Sequence, residues 1–318
     1  KMAKELHELN ELEERVILVA VEMDERSSRS AMDTDACLDE LEELVKTAGG
    51  TAVARSVQKR ERIHPGHYLG TGKIEELKAM LLAYDATGIV CDDELSPAQL
   101  RNLEQMLGTK VMDRTIVILD IFAARALSGE GKIQVELAQL KYRLSRLTGM
   151  GASMSRLGGG IGTRGPGEKK LETDRCYIKE RIAELNKDAQ EIRTHRELLR
   201  AQRSKKGTPV ISLVGYTNAG KSTILNRLSD AGVLAEDKLF ATLDTTTRKI
   251  ELPGGSEVFL TDTVGFIQKL PHHLVQAFRA TLEELQYADI LLHVVDASDA
   301  NRAEHIEVVY DTLRSLGC

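Results

Sequence analysis

The feature that most constrains this 318-residue chain is a glycine-bounded loop between an apolar run and a helical pattern. Gly215, Gly220, Lys221 and Ser222 match G-x-x-x-x-G-K-[ST], the phosphate-binding P-loop. The glycines let backbone N–H groups converge on a phosphate at a helix N-terminus, where Lys221 would reach the β- and γ-phosphates and Ser222 would bind Mg²⁺. Because residues 210–214 supply the apolar strand that the motif requires, we interpret the loop as a nucleotide site rather than an ordinary strand-to-helix turn.

The composition is that of a globular protein. Hydrophobic residues make up 42% of the sequence and charged residues 29%, which excludes a disordered chain. No apolar run approaches the roughly 18 residues of a membrane span, and the charged N-terminus lacks a signal-peptide core. The four cysteines are far apart and form no C-x-x-C pair, so we expect neither a zinc site nor a disulfide framework. These features predict a cytoplasmic protein without a membrane span.

Three domains are expected along the chain. Alternating strand and helix patterns predict an N-terminal α/β domain with a largely parallel sheet at residues 14–127. Within this domain, Ser96 and Pro97 predict a helix start, with serine as the N-cap and proline at the first helical position. A helical hairpin is expected at residues 128–207, and a P-loop domain with a parallel sheet at residues 208–318.

Two heptad patterns predict that the middle domain is an antiparallel coiled-coil hairpin. Their apolar positions are Ile133, Leu137, Leu140, Leu144 and Leu147 in the first helix, and Leu171, Ile178, Ile182, Leu185, Ala189, Ile192 and Leu199 in the second. The connector at residues 157–167 contains six glycines, which predicts a tip that orders on binding a phosphate backbone. Two ordinary amphipathic helices joined by a floppy linker are the alternative.

The excess positive charge of the chain is concentrated in residues 141–206, which we call the basic segment. This segment holds 17 Lys and Arg against 8 Asp and Glu, a net +9 within a chain of net −6. Such an imbalance favours a localised contact with a polyanion, although a solvated lysine-rich helix is the alternative. Four cations flank the glycines or lie among them, and we call them the four tip cations: Arg156, Arg164, Lys169 and Lys170.

Two further stretches after the P-loop fit nucleotide chemistry. Residues 240–248 occupy the place of a switch loop, in which a threonine reports the γ-phosphate, and four threonines compete for that role: Thr242, Thr245, Thr246 and Thr247. A strand at residues 257–261 then ends in a D-x-x-G motif. In that motif Asp262 would hold Mg²⁺ through a water, and the Gly265 N–H would contact the γ-phosphate.

These residues resemble HflX, a family of ribosome-associated GTPases. The resemblance spans residues 16–312 and rests on Gly215–Ser222, Phe240–Asp244, Asp262–Phe266, the glycine-rich run Gly159–Asp174, Leu95–Gln99 and Glu136–Leu140. It implies that Thr242, in F-A-T-L-D, is the switch threonine. It also implies that the protein hydrolyses GTP, binds the large ribosomal subunit and splits stalled ribosomes, with the hairpin tip reaching toward the peptidyl-transferase region.

The motifs and the resemblance together assign the site residues. We expect catalytic roles for Lys221, Thr242 and Gly265, and Mg²⁺ binding by Ser222, Thr242 and Asp262. The residues expected to contact GTP or GDP are Gly215, Tyr216, Thr217, Asn218, Ala219, Gly220, Lys221, Ser222, Thr223, Phe240, Ala241, Thr242, Leu243, Asp244, Asp262, Thr263, Val264 and Gly265. The expected macromolecular partner is the rRNA of the large subunit, contacted through the basic segment by a monomer.

Two departures bear on this interpretation. The N-K-x-D motif that reads guanine does not occur before Cys318, so we expect a fragment that lacks the end of the nucleotide domain, and guanine preference follows from the resemblance alone. Phe266 stands where Ras-type GTPases place a water-orienting glutamine, so unassisted hydrolysis should be slow. The rival hypotheses are an RNA- or ribosome-binding module whose nucleotide domain is inert in this fragment, and an ATP-using P-loop enzyme.

Overall fold

The computed structural model describes residues 14–23, 33–147, 166–204, 207–229, 238–270, 274 and 282–318. The chain separates into two compact units, Lys1–Ile118 and Leu119–Cys318. Residues 157–165 of the predicted glycine-rich connector lie outside the described residues, as do two of the four tip cations, Arg156 and Arg164. Among the described residues, every helix is too short or too polar to span a lipid bilayer.

The first unit is an α/β layer built on a parallel sheet. Its elements are β1 (Arg15–Met23), α1 (Thr34–Thr47), β2 (Thr51–Arg60), α2 (Thr71–Ala83), β3 (Gly88–Cys91), α3 (Pro97–Leu107), β4 (Lys110–Asp113) and α4 (Arg114–Arg125), which continues into the second unit. The strand order is β2-β1-β3-β4, and every neighbouring pair is parallel, as the alternating pattern predicted.

The predicted start of α3 is confirmed in detail. The Ser96 hydroxyl accepts a hydrogen bond from the Gln99 N–H at 3.2 Å, and the Gln99 side chain accepts one from the Ser96 N–H at 2.9 Å. Pro97 occupies the first helical position, where its missing N–H costs nothing. This reciprocal capping box satisfies two backbone donors that the helix itself leaves unpaired.

The second unit begins with two long antiparallel helices, α5 (Gly129–Leu147) and α6 (Pro166–Ser204). Ion pairs fix their direction, because Glu130 pairs with Arg196 at 3.0 Å while Glu136 pairs with Arg181 at 2.8 Å. Leu185, on the predicted seam, is 1% exposed. The predicted antiparallel hairpin is therefore confirmed for the described residues.

One boundary of the hairpin differs from the prediction. Helix α6 begins at Pro166, so Pro166 and Gly167 are helical rather than part of the predicted loop at 157–167. Proline favours the first helical position because its φ is already helical and its ring removes a donor that would be unpaired there. The sequence reasoning treated this proline as a loop residue because glycines surround it.

The rest of the second unit is the nucleotide domain. Its elements are β5 (Val210–Gly215), α7 (Lys221–Ser229), β6 (Thr246–Glu251), β7 (Glu257–Asp262), a 3₁₀ helix (Glu283–Tyr287), β8 (Ile290–Val294) and α8 (Arg302–Leu316). The strand order is β6-β7-β5-β8, and β5 is parallel to both of its neighbours. The predicted parallel sheet is confirmed for β7, β5 and β8, while β6 runs antiparallel to β7, to which a short turn joins it.

The sheet register places the two phosphate motifs side by side. In the parallel pairing of β5 with β7, Leu213 lies opposite Asp262. The P-loop and the D-x-x-G motif therefore leave the sheet at the same edge, the carboxyl ends of adjacent strands. This edge is where ligands bind in open α/β sheets.

Candidate nucleotide-binding site

Steric limits shape the P-loop itself. A Cβ added to Gly215 would lie 2.3 Å from the Val294 carbonyl oxygen in the neighbouring strand, so only glycine fits there. Gly220 has a φ of 91°, and Asn218 a φ of 60°, both in the left-handed region. These two turns bring the chain around to Lys221, where α7 begins with its N–H groups facing the loop.

The D-x-x-G segment packs directly against the P-loop. The Thr217 N–H donates to the Phe266 carbonyl at 2.7 Å, and the Phe266 N–H donates to the Gly215 carbonyl at 3.1 Å. A Cβ added to Gly265 would lie 2.5 Å from the Thr217 Cα and 3.0 Å from the Lys221 Nζ. Glycine is therefore required at 265 by contact with the P-loop backbone.

Lys221 is held inside the loop. Its side chain is 5% exposed, and its Nζ donates hydrogen bonds to the carbonyls of Tyr216 at 2.7 Å and Gly215 at 3.2 Å. Burial lowers the pKa of Lys221 to about 8, while the negative charge of Asp262 acts in the opposite direction. The two carbonyls and Asp262 therefore offset only part of the desolvation of the ammonium, and a phosphate would offset more of it.

Three oxygen-bearing side chains from three segments meet beside Lys221. The Ser222 hydroxyl donates to Asp262 Oδ2 at 2.6 Å and lies 2.7 Å from the Thr242 hydroxyl. Burial raises the pKa of Asp262, although hydrogen bonds from Ser222 and the positive charge of Lys221 act against that shift. The other carboxylate oxygen, Oδ1, is buried and has no hydrogen-bond partner among the described residues.

This cluster fits a magnesium ion. Hydroxyl and carboxylate oxygens are the ligands that Mg²⁺ prefers, and a buried carboxylate oxygen without a partner needs a cation or water. The three residues are those that the sequence assigned to the metal: Ser222, Thr242 and Asp262.

The pocket beside this cluster gathers most of the predicted nucleotide contacts. It is lined by Thr217, Asn218, Gly220, Lys221, Ser222, Thr223, Lys238, Phe240, Ala241, Thr242, Thr263 and Gly265. Lys238 is the member that sequence reasoning missed, although a cation two residues before the F-A-T-L-D stretch was the available signal. The pocket is thus polar and cationic, as a polyphosphate site requires.

Family models match the chain in three consecutive regions: GTP-binding GTPase N-terminal at residues 35–123, GTP-binding GTPase Middle Region at 125–203, and 50S ribosome-binding GTPase at 210–316. The GTPase HflX of Lacrimispora saccharolytica is 66% identical over 313 residues, which cover 98% of this chain and 73% of that protein. The chain belongs to the HflX family of GTPases. The predicted family and the assignment as a P-loop GTPase are confirmed.

Other members and a solved structure agree with this placement. The GTPase HflX of Caldanaerobacter subterraneus is 53% identical over 312 residues, covering 98% of this chain and 71% of that protein. The crystal structure of SsGBP in complex with GDP is 24% identical with a TM-score of 0.51, covering 95% of this chain and 79% of that one. At that identity the likeness supports the fold alone, and it confirms the predicted fold class.

Several predicted contact residues of this HflX-family chain have side chains that do not line the pocket. The Tyr216 ring stacks on His305 of α8 at 3.7 Å, and its hydroxyl accepts a hydrogen bond from the Gln268 N–H at 2.9 Å. Leu243 and Val264 are buried apolar side chains. These residues belong to the framework of the loop, and nothing in the motif spacing distinguished framework from contact.

Asp244 makes a structural contact that the motif did not predict. Its carboxylate accepts hydrogen bonds from the backbone N–H groups of Leu127 at 2.9 Å and Ser128 at 2.8 Å, just before α5. It is not among the residues that line the pocket. The predicted nucleotide contact of Asp244 rests on its place in the F-A-T-L-D stretch, Phe240–Asp244, that resembles the family.

Proposed function

We propose that the protein binds GTP with Mg²⁺ at this pocket and hydrolyses it in the cytoplasm while associated with the large ribosomal subunit. One observation supports the nucleotide part above all others. Ser222, Thr242 and Asp262 converge beside the buried Lys221, which supplies a cation site and a phosphate site next to each other. A protein that bound only RNA would have no need of this pairing.

The chain contributes charge neutralisation and positioning. Lys221 would exchange its two backbone carbonyls for the β- and γ-phosphate oxygens, which compensate its buried charge. The Gly265 N–H would reach the γ-phosphate, because this residue already lies against the P-loop backbone. Ser222, Thr242 and Asp262 would hold Mg²⁺, which would supply positive charge against the charge that develops on the phosphate oxygens.

The residue after the D-x-x-G motif cannot activate a water molecule for hydrolysis. Phe266 occupies the position after D-x-x-G, is 1% exposed, and has no polar atom in its side chain to orient a water. We therefore propose that hydrolysis is slow in the free protein and faster on the ribosome, where contacts order the loops that carry Thr242 and Asp262.

The ribosomal part of the proposal rests on charge and on family. The model that matches residues 210–316 is described as a 50S ribosome-binding GTPase. The basic segment supplies an excess of nine positive charges for rRNA phosphates. We propose that the hairpin carries this contact and that binding in the GTP state separates the subunits of stalled ribosomes.

A serine pair in one helix allows a matched test of the nucleotide site. Ser222→Ala removes a proposed metal ligand at the start of α7, while Ser229→Ala removes a hydroxyl that donates to the Leu225 carbonyl at the other end of the helix. We expect Ser222→Ala to lower Mg²⁺-dependent GTP affinity by about 10- to 100-fold and Ser229→Ala to leave it unchanged. Equal affinity of the wild-type protein for GTP in the presence and absence of Mg²⁺ would refute the metal assignment.

Competition experiments separate the rivals. ATP that displaces bound GTP at equal concentration would favour an ATP-using enzyme. Retention of ribosome binding with no measurable nucleotide binding would favour an RNA-binding module with an inert nucleotide domain. Sedimentation with isolated large subunits, with GDP and with a non-hydrolysable GTP analogue, tests the ribosomal partner directly.

A further inference from the structure

The start of helix α5 is capped by a residue of the nucleotide domain. Asp244 accepts hydrogen bonds from the Leu127 and Ser128 N–H groups, and its Oδ1 also accepts the Ser128 hydroxyl at 2.5 Å. The Ser128 Oγ in turn accepts a bond from the Gly131 N–H at 2.8 Å. A carboxylate at a helix N-terminus satisfies unpaired donors and interacts favourably with the helix dipole.

Asp244 ends the segment 240–244, and the other end of this segment, Phe240, is also held by contacts. The Phe240 ring packs edge-on against Phe122 of α4, with ring centroids 4.8 Å apart. Phe240 is 2% exposed, and its N–H donates to the Thr217 hydroxyl of the P-loop at 2.8 Å. The five residues 240–244 are therefore anchored at both ends, and Thr242 is at their centre.

We propose that the α4–α5 junction, residues 122–131, positions Thr242 for the bound triphosphate. Asp244 and Ser128 are positioning residues, because they hold the segment in the conformation in which the Thr242 hydroxyl lies 2.7 Å from that of Ser222. The helical hairpin and the nucleotide site are then coupled through this junction. The inference rests on the proposed function, since it requires that Thr242 contacts the Mg²⁺-bound triphosphate.

The coupling must act in both directions. If the junction favours triphosphate binding, then a bound triphosphate must stabilise the first turn of α5 by the same factor. A diphosphate lacks the γ-phosphate that Thr242 reports, so it should transmit far less. Discrimination between GTP and GDP is therefore the property that the junction controls.

Two glycines in the first turn of α5 provide a matched pair of variants. A Cβ at Gly131 would lie 2.4 Å from Asp244 Oδ1 and 3.1 Å from the Ser128 hydroxyl oxygen, so Gly131→Ala must displace the carboxylate. A Cβ at Gly129 would meet no atom within 4 Å, so Gly129→Ala is the control. Both changes replace glycine by alanine near the helix start, and neither residue lines the nucleotide pocket.

The first measurement is affinity in the full chain with Mg²⁺, using fluorescent GDP and a fluorescent non-hydrolysable GTP analogue. We expect Gly131→Ala to lower the affinity for the GTP analogue about tenfold, a typical coupling, while its GDP affinity and the behaviour of Gly129→Ala stay unchanged. An equal loss for both nucleotides, or no loss for either, would overturn the inference. A wild-type protein that binds neither nucleotide would instead defeat the proposed function.

A conservative pair at Ser128 and hydrogen exchange supply the second measurement. Ser128→Ala should reduce the preference for the GTP analogue, and Ser128→Thr, which keeps the hydroxyl, should retain it. In the wild-type protein the GTP analogue should slow exchange of the Leu127 and Ser128 amide hydrogens more than GDP does, and Asp244→Ala should abolish the difference. Identical exchange with the two nucleotides in the wild-type protein would show that the junction is a structural cap alone.

Discussion

Lys221 should take up a proton when the protein binds a nucleotide. The side chain is 5% exposed, and burial lowers its pKa from the usual 10.5 to about 8. A bound polyphosphate places several negative charges beside the ammonium, so in the complex the pKa should return toward its usual value. Between these two pKa values, binding and protonation of Lys221 are linked, and affinity must fall as pH rises.

The size of the effect follows from the two pKa values. Lys221 is about nine-tenths protonated near pH 7 in the nucleotide-free protein but only about one-tenth protonated near pH 9, so affinity should fall about tenfold across that range. The lowering of the pKa of Lys221 from 10.5 to about 8 corresponds to about 3 kcal/mol of unfolding free energy lost to the buried charge at low pH. Because the folded protein binds fewer protons than the unfolded chain, this penalty decreases as pH rises from about 8 toward 10.5.

Calorimetry measures the proton directly. GDP binding near pH 8 in two buffers of different ionisation enthalpy should show an uptake of about half a proton by Lys221, rising to about nine-tenths near pH 9. The control is Lys221→Met, whose unfolding free energy is compared with that of the wild-type protein. The wild type should gain about 1.5 kcal/mol relative to the variant between about pH 8 and pH 9.5. Affinity that is constant from about pH 7 to pH 9 would refute the reasoning.

Three other predictions concern separate parts of the chain. Replacing the four tip cations by alanine should flatten the slope of log affinity against log salt for large-subunit binding by about 3, with circular dichroism unchanged; an unaltered slope would place the rRNA contact elsewhere. Leu185→Asp buries an unpaired charge in the hairpin and should cost about 3 kcal/mol or more in chemical denaturation, whereas Lys187→Asp, on an exposed position of α6, should cost less than about 1 kcal/mol. Gly265→Ala should weaken GTP binding about tenfold or more by fluorescence titration, because its Cβ would overlap the Thr217 Cα; full affinity would contradict the close packing.

The sequence specified the phosphate site well because its motifs are local. The P-loop and D-x-x-G each occupy a few consecutive residues after a strand, and parallel pairing of β5 with β7 brings them to one edge. The hairpin seam could also be predicted, because a heptad pattern needs only the sequence of each helix. The ion pairs between the helices then follow from antiparallel pairing.

Contacts between distant segments could not be predicted in the same way. Asp244 and Ser128 are 116 residues apart, and neither belongs to a pattern that links them. The place of Asp244 in F-A-T-L-D predicted a nucleotide contact, and nothing in that motif indicates that its carboxylate also caps α5. The stacking of Tyr216 on His305 could not be predicted for a similar reason, since a motif gives the backbone path but not the direction of a side chain.

The site contains two buried ionisable groups, Lys221 and Asp262, and both lie close to Thr242. Burial lowers the pKa of Lys221 and raises that of Asp262, so both groups are shifted toward their neutral forms, and phosphate and a cation would each relieve one of these costs. A cation that offset the desolvation of Asp262 would also contact Ser222 and Thr242, because the oxygens of all three side chains lie together. Movement of Thr242 would affect both ends of the segment 240–244. Phe240 contacts the P-loop and α4, and Asp244 contacts the residues before α5. A bound triphosphate that contacts Thr242 would therefore also act on the base of the hairpin, and GDP, which lacks the γ-phosphate, would act on it less.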